Sequence, residues 1–249
     1  MKLVTLIALG LLTTQTGVGY AGQAPTPAAA ATRGAERFEV SSIKAVRPTL
    51  VNTIAALRKK DVAGAKKAFE AFDSGWNGVE VYVSTRSADM YAALETNYEA
   101  RIMAGLNAPS PDAAALLSDA QAMLAKYDEN ISLIEKAAPL NRFYDDVARL
   151  RIVRAHRREV TPALKAGNLA KARASFGAFD DSWDSIEDLV SERSRDAYVA
   201  IESGMIQIER ALMPAEPDVA QIITLVSGVT DKYNAILALV TKDARTPPQ

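Results

Sequence analysis

Apolar positions along the chain advance in steps of three and four. Phe69, Phe72, Trp76, Val79 and Val83 fall on one helical face, and Phe176, Phe179, Trp183, Ile186 and Val190 repeat it. Ala is abundant and alternating β-branched runs are absent, so the chain reads as all-α. The pattern divides into eight helices, near Glu36–Lys59, Val62–Thr85, Ala88–Asn107, Asp112–Ala137, Leu140–Ala166, Leu169–Arg193, Arg195–Met213 and Asp218–Asp243. Ser87 and Ser194 stand where an N-cap oxygen meets free backbone N–H groups, and Asp89 and Asp196 follow in the first turn. Pro109, Pro111, Pro139, Pro214 and Pro217 punctuate other boundaries, while Pro48 and Pro162 predict kinks in the first helix of each half.

The two halves are copies. Phe69-x-Ala71-Phe72-Asp73-x3-Trp76-x2-Val79-Glu80-x2-Val83-x2-Arg86-Ser87-x-Asp89-x-Tyr91-x-Ala93-x-Glu95 returns 107 residues later, from Phe176 to Glu202. Four helices of ~20–25 residues joined by short turns predict an antiparallel four-helix bundle. The expected architecture is therefore a tandem duplication of that bundle, over residues 36–138 and 139–243. The rival is a solenoid of helical hairpins, whose period of ~34 residues the repeat does not show.

The ends read differently. Lys2, an apolar stretch from Leu3 to Val18 and the small residues to Ala21 describe a secretory signal over residues 1–21. The alternative, an uncleaved anchor, is opposed by the polar run Thr13–Thr16. Residues 22–35 form an Ala/Pro/Thr leader and 244–249 a short tail. With no cysteine, disulfide and thiolate chemistry are excluded. The expected location is the bacterial periplasm or the exterior, with no membrane span after cleavage. The formal net charge of −1 leaves no electrostatic footprint for nucleic acid.

Most of the repeated motif is packing. Trp76, Tyr91, Trp183 and Tyr198 lie at core spacing. The acidic residues stand out. Glu80 lies seven residues before the turn at Ser87 and Glu95 eight after it, so both sit ~10–12 Å below the turn. Glu187 and Glu202 reproduce this around Ser194. Two carboxyls at one level beside apolar walls require a shared proton, an ion partner or a cation between them. Glu80, Glu95, Glu187 and Glu202 are thus candidate ligands for a divalent cation. The competing reading is a structural ion network involving Lys126 and Lys232. By level, Arg47 is expected to pair with Asp73 and Arg154 with Asp180. His156-x-x-Glu159 places the lone histidine and an acid on one helical face, without a third ligand. No nucleophile elbow, phosphate loop or zinc-protease helix occurs, so no catalytic residue is assigned.

The run Phe-x3-Trp-x2-[Val/Ile]-Glu-x2-Val-x2-Arg-Ser-x-Asp-x-Tyr-x-Ala-x-Glu resembles helical extracytoplasmic regions that accompany bacterial iron/lead permeases, over residues 62–106 and 169–213. The permease's membrane part and its Arg-Glu-x-x-Glu motifs are absent. The resemblance implies a soluble accessory module in periplasmic iron handling, with an inner-membrane permease or envelope protein as partner and the four glutamates as the matching acidic positions. His156-x-x-Glu159 also resembles a motif of imelysin-like iron-uptake proteins. Two functions remain open: a non-catalytic protein binding iron or another divalent cation, and a metal-free interaction module of the cell envelope.

Overall fold

A computed structural model describes residues 36–246, and the expected signal (1–21) and leader (22–35) fall outside them. The described residues are all-α, without strands. The first copy contributes α1 (Phe38–Arg58), α2 (Val62–Ser84), α3 (Ala88–Leu94), a π-helical turn (Glu95–Glu99), α4 (Ala100–Leu106) and α5 (Ala113–Lys136). The second contributes α6 (Phe143–Arg158), α7 (Val160–Lys165), α8 (Leu169–Trp183), α9 (Glu187–Arg193), α10 (Arg195–Leu212) and α11 (Val219–Arg245).

Side-chain caps begin six of these helices, two of them at the serines the sequence predicts. The Ser87 and Ser194 hydroxyls accept from the backbone N–H groups of Met90 and Ala197. Asp61, Asp112, Asn168 and Asp218 cap α2, α5, α8 and α11 in the same way. The turn before α2 passes through Lys60 at φ 58°, and its counterpart 107 residues on is Gly167 at φ 70°. The left-handed turn is therefore retained in both copies, with glycine at the position only in the second.

One seam of aromatic side chains organises each copy. Phe72, Trp76 and Tyr127 cluster with ring centroids 5.5–6.5 Å apart, as do Phe179, Trp183 and Tyr233. The Tyr127 and Tyr233 hydroxyls donate to the carbonyls of Ile43 and Leu150, tying the last helix of each copy to the first. α1 packs on α2 and α5, and α6 packs on α8 and α11. The copies also pack on each other, because α2 lies against α6. Gly78 permits that approach: a Cβ there would come within 2.6 Å of the Ile152 side chain. Tyr82 crosses the same junction and donates to Asp145 at 2.7 Å. α11 is long and apolar enough by composition to cross a membrane, and its stripe from Ile222 through Tyr233 to Val240 is buried in the fold.

Three expected helices are interrupted. The fifth breaks at Glu159, three residues before Pro162, whose ring and missing N–H oppose the preceding turn. Pro48, by contrast, sits within an unbroken α1. The sixth breaks after Trp183, where the Ser182 and Ser185 hydroxyls bond to the carbonyls of Ala178 and Ser182. In the third, one residue is extra. Leu94 and Ile201 are 107 apart, but Ile102 and Ile208 are 106 apart, and all four are buried. The π-helical turn at Glu95–Glu99 absorbs that residue and keeps both flanking apolar stripes facing the core.

Candidate functional site

The π-helical turn carries the ends of a carboxyl cluster. α2 presents Asp73 and Glu80, and the turn presents Glu95 and Glu99. The Trp76 indole N–H donates to Glu95 Oε1 at 2.8 Å, and the Glu80 carboxyl lies beside that of Glu95. Across the junction between copies, Arg151 of α6 donates to Glu80 Oε1 at 2.8 Å. The Glu99 carboxyl lies beside that of Asp73, which accepts from Asn77 at 3.0 Å. Tyr91 stacks on Trp76 with centroids 6.4 Å apart and closes one side.

Glu99 is only 8% exposed, and its Oε2 atom is buried without a hydrogen-bond partner. By the shifted register its counterpart in the second copy is Met205, also buried. A carboxyl has thus taken an apolar core position. Burial is the main cause that pushes Glu99 up to about 10, with Asp73 and Glu95 adding to it. Burial also pushes Glu80 up to about 7, Arg151 opposes the shift, and Glu95 reinforces it. Glu80 therefore keeps its proton into the neutral range although Arg151 faces it.

The structure brings Glu80 and Glu95 together as the sequence predicts, and adds Glu99 and Asp73 to them. The only available sign of Glu99 was the change of register from 107 to 106, which places it opposite a core methionine. In the second copy the Trp183 indole N–H donates to Glu202, and the Tyr198 hydroxyl donates to Glu187 at 3.4 Å. Glu187 and Glu202 line a cavity of about 220 Å³ with Asp180, Asp181, Asp184 and Glu209, and no basic side chain lines it. Arg151 has no counterpart here. Asp181, Asp184, Ser185 and Asp188 are exposed, whereas their first-copy counterparts Ser74, Asn77, Gly78 and Val81 are partly or fully buried, Gly78 against Ile152 of α6.

The expected ion pairs are different. Arg47 forms a bidentate pair with Asp128 of α5, at 2.7 and 2.9 Å, rather than with Asp73. Equal depth along two helices does not specify which way each side chain points, and Arg47 faces α5. Arg154 forms no ion pair with Asp180 or any other acid among the described residues, because Asn234 replaces the acid that serves Arg47. Lys126 pairs with Glu129 at the surface rather than with the buried glutamates. His156 is exposed, and Glu159 lies beyond the end of α6 and pairs with Lys171. Among the described residues no three His, Asp or Glu side chains already converge as a metal site.

The Arg47–Asp128 pair should contribute little to stability. Both side chains are more than 40% exposed, so Asp128→Asn is expected to cost at most ~1 kcal/mol in a denaturant titration. A loss of several kcal/mol would contradict this surface assignment.

Comparison with protein-family models, with curated proteins and with solved structures found no match to this chain.

Proposed function

We propose that the chain is an exported, non-catalytic helical binding protein whose first-copy carboxyl cluster takes up a divalent cation. The observation that carries this reading is Glu99: a buried acid with an unpartnered oxygen, set in a core position beside Asp73, Glu80 and Glu95. Four carboxyl groups share one facing guanidinium there, and protons hold the surplus charge. A hard or borderline cation could replace those protons and supply the missing partner for Glu99. Entry requires the carboxyls to draw inward. The π-helical turn is a local departure from α-geometry from which Glu95 and Glu99 could move. The resemblance to permease-associated regions favours iron, a periplasmic location and an inner-membrane or envelope partner.

In a thermal melt of chelator-treated protein, Mn²⁺ or Fe²⁺ is expected to raise the midpoint. Saturation at 100 times the dissociation constant corresponds to about 2.7 kcal/mol. The pair Glu80→Gln and Glu95→Gln should remove the rise. No shift with any first-row divalent ion would end this reading.

The second reading, an interaction module, rests on the exposed acidic face formed by Asp181, Asp184 and Asp188. It predicts indifference to metal and a partner whose capture is lost when those three residues become asparagine.

A further inference from the structure

The second copy has lost a carboxylate and gained two arginines at one place. In the first copy Arg47 is neutralised by Asp128. Their counterparts, by the 107 and 106 registers, are Arg154 and Asn234. Leu50 and Val51 correspond to Arg157 and Arg158. Where the first copy has one core leucine, one exposed valine and a surface ion pair, the second has three guanidinium groups without an acid.

These groups line a cavity of about 550 Å³ bounded by α2, α6, α7 and α11, together with Asn77, Thr161, Thr230 and Asn234. No carboxylate lines it. Arg157 is 3% exposed, and its Nε atom is buried without a partner, as is the Nε of Arg154. The Thr230 hydroxyl accepts from Arg157 and donates to Val226, so it orients that guanidinium. Arg157 also lies over the rings of Tyr233 and Phe179, at 5.3 and 6.0 Å. Burial and the neighbouring arginines oppose the charges of Arg154 and Arg157. Asp231 and Glu80 are close enough to attract them, yet neither pairs with them. Buried guanidinium groups left unpaired are costly, and their planar N–H groups match the oxygens of phosphate or carboxylate.

We propose that this pocket binds a small, multiply charged oxyanion, either phosphate or a phosphate monoester. Arg154, Arg157 and Arg158 supply three positive charges, and the Thr161 hydroxyl supplies a further donor. The cavity leaves room for an organic group beyond a bare phosphate. This site adjoins the proposed cation cluster through Asn77, which donates to Asp73 of that cluster, but its test does not depend on metal.

The test is a calorimetric titration of the protein with inorganic phosphate and with glycerol 3-phosphate at constant ionic strength, with chloride as control. Saturable binding of either phosphate compound is expected. Arg158→Gln, at an exposed position, should weaken it at least tenfold. Asn234→Asp, which restores the pair present in the first copy, should weaken it as much while raising the melting temperature of the ligand-free protein. The raised melting temperature also shows that this variant folds. Absence of binding beyond the chloride control would overturn the proposal. So would phosphate binding that both variants retain.

Discussion

Replacing Glu99 with methionine is expected to make the protein more stable, and more so as pH rises. An unfolded glutamate releases its proton near pH 4.5, whereas folded Glu80 holds its proton to about 7 and Glu99 to about 10. Above pH 4.5 the folded state therefore binds protons that the unfolded state has lost. Stability from these groups is full below that pH and declines as pH rises through the folded values. Each group can account for at most ~1.4 kcal/mol per pH unit within its window. Asp145, Asp146 and Asp180, each raised mainly by burial, act in the same direction. Glu99→Met removes the largest of these contributions and inserts the side chain that Met205 already places in the second copy. The gain at pH 8 should be roughly 1–3 kcal/mol, the cost of leaving a buried polar group unsatisfied. Urea titrations from pH 5 to pH 9 should show a declining midpoint for the natural chain and a flatter profile for the variant. A variant less stable at pH 8, with an equally steep profile, would show that Glu99 is better satisfied than its geometry implies.

Trp76→Ala should cause a larger loss, about 3–5 kcal/mol. Trp76 is fully buried among Phe72, Tyr91 and Tyr127. Alanine leaves a cavity at the centre of the seam and removes the donor that holds Glu95. Trp76→Phe separates the two effects. It keeps most of the apolar contact and loses the indole N–H, so it should cost ~1–2 kcal/mol. It should also weaken cation uptake, because Glu95 is no longer positioned. Trp183→Ala in the second copy should be nearly as destabilising through packing. Its lost hydrogen bond matters less, since Glu202 borders an open cavity where water can replace the donor. Denaturant titration of the three variants checks these magnitudes. Equal losses for alanine and phenylalanine at Trp76 would mean that the hydrogen bond, not the packing, dominates there.

The all-α fold was legible because its signals are local. The Phe69–Val83 stripe has helical spacing, and Ser87 and Ser194 are capping residues at helix starts. The proximity of Glu80 and Glu95 was legible too, in that turn position and helical rise place both at one depth. What stayed hidden depended on direction around the helix axis or on the neighbouring copy. Arg47 points to α5 rather than α2, which depth alone cannot specify. Arg151 reaches Glu80 only because α6 packs on α2. Glu99 became recognisable as a core acid once the π-helical turn accounted for the extra residue. The same register explains Arg154: its counterpart kept an aspartate, and it did not. The two copies began as equivalent motifs and diverged where α6 covers one and leaves the other open.

The most direct test of the cation cluster is a binding titration of the chelator-treated protein with Mn²⁺ and Fe²⁺. It compares the natural chain with the Glu80→Gln/Glu95→Gln and Glu187→Gln/Glu202→Gln pairs. The account predicts saturable uptake by the natural chain, its loss in the first pair and its retention in the second. No uptake by the natural chain, or uptake that survives the loss of Glu80 and Glu95, would contradict it.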